Sequence, residues 1–530
     1  MNIILMKGTN TMNKKYIEEF REDLKEFKEV TEKFYNKEVS IPEYKSFSGG
    51  FGSYAQRGGE RSMLRLRMTA GDLDKNKLKF LVEGIKKYDV EKAHFTTCQS
   101  VQLHNLTKDA VCGLIEEALD YGIITRGGGG DFPRNIMCSP LSGVEQGEYF
   151  DVMPYAKEAG DYLLSLIKKV KLPRKLKVCF SNSKENRPHA TFRDMGFVAK
   201  ENKKFDVYIA GGLGNKPKFG VLAAEDVEPD KVLYCIKTMV DIFTKYGNYT
   251  QRAASRTRFL QDTLGADELV KIYKETLEKN IKSGGLDIEL SKDDTAERLD
   301  AKAAKSKAGE YADNKKVISQ KQSGLYAVEY HPVGGTPDIT FFETLYNVIK
   351  DMEEVRVRLL PEEGIYIINL NADEVEKILD ITADYKGTEF EKSTACIGAD
   401  VCQVGIGRSQ ILLNACMDAV KKENFADGVL PAIHISGCPS SCSAHQTATI
   451  GLRGGKKPTP EGPKYSFTMY ENGCALQGEE RFGDEIATII EDNIPDFFVA
   501  LGKEISAEKM TYKEFRNAHP DRIKELAQQF

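Results

Sequence analysis

The chain has 530 residues, enough for about three to five folding units. Its 41% hydrophobic and 29% charged residues exclude a disordered or collagen-like chain. Lys and Arg number 75 against 80 Asp and Glu; the resulting charge of −5 excludes a global basic field for nucleic acid, and no apolar run reaches the ~18–20 residues of a membrane span. With no export segment and an odd, sparse set of eleven cysteines, the chain is expected in a reducing cytoplasm, where thiolate or metal roles outrank disulfides.

In chain order, Ile17, Phe20, Leu24, Phe27, Val30 and Phe34 predict an amphipathic helix over 16–35, docked on the body. In Met63-Leu-Arg-Leu-Arg-Met68, period two sets Arg65 and Arg67 on one strand face and Leu64 and Leu66 on the other. Two strands, 94–97 and 101–106, follow, with Gln102 and His104 on the face of Cys98 and Ser100. The Gly127–Gly130 run before Asp131-Phe-Pro-Arg134 reads as a flexible loop, or as backbone amides brought close to an anion. In Leu172-Pro-Arg-Lys-Leu-Lys-Val178, a strand over 175–180 sets Lys175 and Lys177 opposite Leu176 and Val178. Cationic strand faces fit either a solvated sheet or an anion-holding cavity. Arg252, Arg256 and Arg258 form a basic run. The charged segment 284–322 shows no persistent apolar face and reads as a linker.

Beyond it the pattern recurs. Strand, turn, strand and helix start repeat at 355–370, and Leu430-Pro431 opens a strand as Leu172-Pro173 does. An internal duplication with a period of about 260 residues explains this, far outside solenoid periods of ~20–50. The second half carries Cys396-x5-Cys402 and Cys438-Pro-Ser-Ser-Cys442. Four thiolates in two pairs suit a [4Fe–4S] cluster. Structural zinc and unliganded buried cysteines are the alternatives, although zinc pairs usually have gaps of about two to four residues. The other seven cysteines show no ligand spacing and read as small buried hydrophobes.

The Cys pairs, the Met63-Leu-Arg-Leu-Arg and Leu172-Pro-Arg-Lys-Leu-Lys strands and Arg134-Asn-Ile-Met-Cys together resemble the sirohaem- and [4Fe–4S]-dependent nitrite/sulfite reductase family, over roughly 49–498. The resemblance implies an α+β, internally duplicated fold. Its expected parts are an N-terminal helical extension (1–48), a ferredoxin-like half-domain (49–120) and a sirohaem/substrate domain (121–280). A linker (281–318), a second half-domain (319–388) and a cluster and sirohaem-binding domain (389–530) follow.

By the same resemblance, Cys396, Cys402, Cys438 and Cys442 hold one [4Fe–4S] cluster, with Cys442 also bridging to sirohaem. Arg65, Arg134, Lys175 and Lys177 surround sulfite or nitrite, the arginines clamping the anion and the lysines delivering protons. Arg67, Gln102, His104, Arg252 and Arg256 are expected near the macrocycle. The implied activity is six-electron reduction, with Lys177 leaning toward sulfite. No dinucleotide fingerprint or ferredoxin-type Cys run is evident, so electrons are expected from ferredoxin or a flavoprotein partner, docked on a lysine-rich patch over 302–321. Cys98 and His94 stand where typical members carry Arg. They support the alternative of a sirohaem/cluster protein with a sensing or electron-carrying role.

Overall fold

The computed structural model describes residues 11–290 and 295–530. Residues 1–10 of the expected N-terminal extension lie outside them. The helix Thr11–Tyr35 lays Phe20, Leu24 and Phe27 into the main core, and salt bridges Arg21–Asp120 (2.7 Å) and Lys28–Glu116 (2.7 Å) hold its polar side to the helix Lys108–Asp120.

Among the described residues, four sheets form the body. The first is antiparallel, built from Ser53–Ala55, Ser62–Arg67, Ser100–Leu106 and Lys92–Phe95 in that spatial order. Its second-half counterpart contains Val317–Ser319, Tyr326–Tyr330, Ile365–Leu370 and Arg356–Leu359. The two α/β modules share one continuous core, in which Leu64, Leu66, Val101 and Phe95 join Val328, Val357, Ile365 and Ile367.

A strand of the first half, Asp72–Leu73, also pairs with Arg356–Leu359 of the second. Asp72 is 3% exposed and is met by Arg356 (2.5 and 3.1 Å), Lys157 (2.9 Å) and Arg358 (3.6 Å). Burial would raise its carboxyl. Arg356, Lys157, Arg358 and Lys77 outweigh burial and hold it well below the usual range.

The two larger sheets have identical topology. Met137–Cys138, Val178–Ser181 and Met195–Ala199 run parallel, then Phe205–Ile209 and Val221–Val227 antiparallel. Thr394–Ala395, Ile433–Ser436, Ile450–Lys457, Lys464–Glu471 and Asp484–Ile490 repeat the arrangement. The copies share a close approach: a Cβ on Gly196 would lie 1.8 Å from the Ala190 carbonyl oxygen, and one on Gly451 1.9 Å from that of His445. Only glycine fits there, and the same turn precedes it in each copy.

Three local expectations are corrected. The strand expected over 175–180 begins at Val178, so the lysines precede it, tied in by a bridge between Pro133 and Leu176. Cys98 lies in the turn before Ser100–Leu106, not on the strand. The expected linker contains the helix Thr295–Lys305, which buries Leu299. No described helix is long and apolar enough to cross a membrane.

The Asp72 junction gives the first prediction. Asp72→Asn leaves the buried Arg358 and the half-buried Arg356 without a counter-charge and should destabilise the protein by about 3–5 kcal/mol, read as a lower denaturation midpoint. Because the carboxyl is depressed in the folded state, its contribution is complete above about 3.9, the unfolded value, and is lost as pH falls through the lower folded value. The variant should therefore lose less stability on acidification than the wild type.

Candidate active site

Arg65 and Arg67 leave the same face of Ser62–Arg67 toward the Gly127–Gly130 loop. Three of the loop's four glycine amides are not free for a ligand: those of Gly127, Gly128 and Gly130 donate to Gly50 O, Thr125 O and Tyr54 Oη. Its carbonyls instead hold cations. Gly128 O accepts from Arg65 (2.7 Å) and Arg134 (2.5 Å), and Gly130 O accepts from Arg134 (3.3 Å). Gln102, with its amide oxygen turned to Arg65, accepts from Nη2 (2.5 Å) and Nε (3.0 Å).

Arg67 is placed differently. It is 4% exposed and donates to the carbonyls of Arg126, Pro133 and Arg134 at 3.0, 3.0 and 2.9 Å. Burial, then repulsion from Arg134, bring its guanidinium down to about 9. Burial and Arg65 bring Arg134 to about 10.

Lys175 and Lys177 complete the group. Burial, then Arg256, Lys177 and Arg134, push Lys175 well below its ordinary value. Burial also lowers Lys177, against the pull of Cys98, whose Sγ lies 3.2 Å from the ammonium. One carboxylate organises this side. Asp194, fully buried, accepts from the Lys177 amide (2.9 Å), from Arg256 (3.0 Å to each oxygen) and from Thr257 Oγ1. Neither Asp194 nor Arg193, a further cation beside Lys177 and Cys98, carries a sequence signal.

Arg252 stands apart at the rim, 65% exposed, in a salt bridge with Asp131 at 2.8 Å. Arg258 donates to the carbonyls of Lys216 (3.0 Å) and Asn215 (2.6 Å), and its Nη1 is buried without a partner. His104 lies buried with both ring nitrogens unpartnered, and burial followed by His94, Lys92 and Arg65 keeps it neutral.

The cysteines form the opposite wall. Cys396, Cys402 and Cys438 all lie within electrostatic reach of Cys442, which also faces Lys175 and Lys177. Cys396 Sγ accepts from the Gly437 amide at 3.2 Å. Burial, then Cys442, hold its thiol up at about 12, so a bare thiolate is costly here and a cationic metal group would offset that cost.

Among the described residues no three His, Cys, Asp or Glu side chains gather as ligands of one ion would. The unpartnered Nε of Arg134 and Arg256 and Nη1 of Arg258 are buried donors suited to the carboxylates of a macrocycle. The residues therefore fit both groups.

The first half braces the thiolate loops. Arg57 donates to Cys402 O (3.2 Å) and Gly405 O (3.0 Å), Gln403 to Ala55 O (2.6 Å), and Thr97 Oγ1 to Cys442 O (2.8 Å). Gly214 and Gln446 exchange hydrogen bonds of 2.7 and 3.0 Å between the two copies. In the first copy, strand register sets Ser139, Ser183 and Arg187 where the second has Cys396, Cys438 and Cys442. Arg187 there pairs with Glu362 (3.2 Å) and Tyr366 (2.7 Å).

Residues 54–121 match the nitrite/sulfite reductase ferredoxin-like half domain, and residues 129–281 match the nitrite and sulphite reductase 4Fe-4S domain. Over these two stretches the chain is similar to the nitrite/sulfite reductase family. Both matches fall on the first copy, whereas the cysteine quartet lies in the second.

An assimilatory ferredoxin-dependent nitrite reductase of Haloferax mediterranei is 23% identical over 88% of this chain and 83% of its own. A ferredoxin sulfite reductase of Mycolicibacterium paratuberculosis is 23% identical over 80% and 75%. A chloroplastic ferredoxin–nitrite reductase of Oryza sativa is 26% identical over 84% and 76%. The solved Mycobacterium tuberculosis NirA protein shares the fold, with a TM-score of 0.73, 20% identity and 92% coverage of each chain. The family carries sirohaem and a 4Fe–4S cluster.

A direct check follows. Cys438→Ser should lose most of the non-haem iron and acid-labile sulfide of the wild-type protein, whereas Cys416→Ser, at a buried cysteine of the second-copy core, should retain both.

Proposed function

We propose that the protein is a sirohaem- and [4Fe–4S]-dependent reductase of sulfite to sulfide or nitrite to ammonia, fed by ferredoxin or a flavoprotein. The observation that carries this reading is Cys442, which lies within electrostatic reach both of three other cysteines and of Lys175 and Lys177. Cys396, Cys402, Cys438 and Cys442 would hold the cluster. Arg256, Arg258 and His104 would lie against the macrocycle, and Arg67 and Arg252 would support it from behind and at the rim. When bound, these groups supply single electrons to an oxyanion at the haem iron.

The residues do the rest. Arg65 and Arg134, aimed by Gly128 O and Gln102, would clamp the oxyanion without losing charge. Two unit charges at 4 Å interact by about 4 kcal/mol at an effective dielectric of 20, so two or three such contacts decide anion binding. Lys175 and Lys177 would give protons to the departing oxygen. Burial and neighbouring cations raise their acidity, which makes each ammonium a better donor than a free lysine.

The lysine patch expected to dock the donor is largely spent internally. Lys302 pairs with Glu374, Lys315 with Asp427, Lys321 with Glu148, and Lys316 donates to Thr382 O. Unpaired cysteines support a reducing, cytoplasmic setting.

The test is anaerobic turnover of nitrite and of sulfite by the cofactor-loaded protein with photoreduced methyl viologen, free of dithionite. Turnover of at least one anion is expected; turnover of neither overturns the reading. Lys175→Met should lower kcat by roughly 10²–10⁴-fold, the scale of a lost general acid. The alkaline limb of the rate profile should lie below the usual lysine value, because activity needs ammonium forms that burial makes easier to lose.

A further inference from the structure

Cys98 is held rigidly against Lys177. Thr96 Oγ1 accepts from the amides of Cys98 (3.3 Å) and Ser100 (3.2 Å). Asn135 Nδ2 donates to the carbonyls of Cys98 (3.0 Å) and Gln99 (2.9 Å). Gln99 is bolted to Cys138 through its side-chain amide, at 2.9 and 2.8 Å. The turn therefore cannot carry the sulfur away from the ammonium 3.2 Å distant.

The charged groups facing the thiol are cations: Lys177, Arg193, Arg65 and Arg134; the neighbouring Cys179 thiol is held up at about 12 by burial and stays neutral. Burial raises the Cys98 thiol, but the cations overcome this and bring it to about 6, so the thiolate prevails at neutral pH.

The second half's equivalent turn has the same length: Phe95 pairs with Val101 and Leu359 with Ile365, so Cys98 occupies the place of Glu362. Glu362 is a carboxylate paired with Arg187. Lys177 and Arg187 stand at non-equivalent positions of the first copy, so each turn position meets its cation by a contact of its own.

We infer that Cys98 is a specificity-determining residue: by accepting from Lys177 it withdraws one cation from the anion cradle and sets a negative charge beside it, so that the site favours singly charged nitrite over doubly charged sulfite. This rests on the reductase reading above. It reverses the leaning that Lys177 alone gave, because the lysine is not presented alone.

The experiment compares kcat/KM for both anions on the holoprotein, at alkaline pH where sulfite is a dianion, in wild type, Cys98→Ser and Cys98→Ala. Either substitution should raise the sulfite-to-nitrite ratio about tenfold, the scale of one charge acting over several ångström at intermediate dielectric, mainly through KM. A cysteine that merely packs would lower both rates together and leave the ratio fixed, which overturns the inference.

A second arm needs no turnover. Iodoacetamide labelling of Cys98 in the wild-type holoprotein, resolved by peptide mass spectrometry across pH, should show a midpoint below ~7 that rises in Lys177→Met; a midpoint at the ordinary ~8.5 overturns the inference. Wild-type protein that reduces neither anion fails the reductase reading before any substitution is made, and this inference falls with it.

Discussion

Like charges packed together in a partly dry space repel, and the whole site is arranged around that repulsion. Arg65, Arg67, Arg134, Lys175, Lys177, Arg193 and Arg256 lie within one another's fields, and burial and mutual repulsion lower several of them. Few anions hold them: Asp194, and the Cys98 sulfur. The remainder is borne by carbonyl dipoles of the glycine loop and of Arg126, Pro133 and Arg134. In the proposed function an arriving oxyanion would relieve this repulsion, so part of its binding free energy would be built into the fold beforehand.

The duplication explains how one half supplies cations and the other thiolates. Both larger sheets have the same strand order and the same glycine close approach. They diverge at a few turn positions, where Ser183 and Arg187 replace Cys438 and Cys442. Arg187 reaches across to Glu362 and Tyr366, while Thr97 reaches across to Cys442 O. The halves thus exchange equivalent contacts, one closing a structural ion pair and the other supporting a thiolate loop.

Much of this was legible in the sequence, because it is local. The cysteine spacing, the period-two arginines and the recurrence of strand, turn and helix start can all be read along the chain. What was not legible depends on distant segments. Arg65 and Arg67 share a face, yet one points into the cradle and the other is spent on carbonyls around residues 126–134. Asp194 and Arg193 belong to no pattern, and Asp194 matters only because Arg256 and Lys177 are brought to it. The glycine run suggested free amides, but its turns use three of the four amides internally and leave the carbonyls outward. The helix Thr295–Lys305 was hidden because a single residue, Leu299, is fully buried.

The bracing of the cysteine loops by Arg57, Ala55 and Thr97 also bears on how the protein is made. Every one of these groups is synthesised before the first cluster cysteine emerges, and domains tend to fold in order of synthesis. The first half is therefore a ready surface on which the later loops are shaped. It also lends the strand Asp72–Leu73 to the second half's sheet. If the cysteine loops hold metal as proposed, their final shape is reached only when the two halves dock.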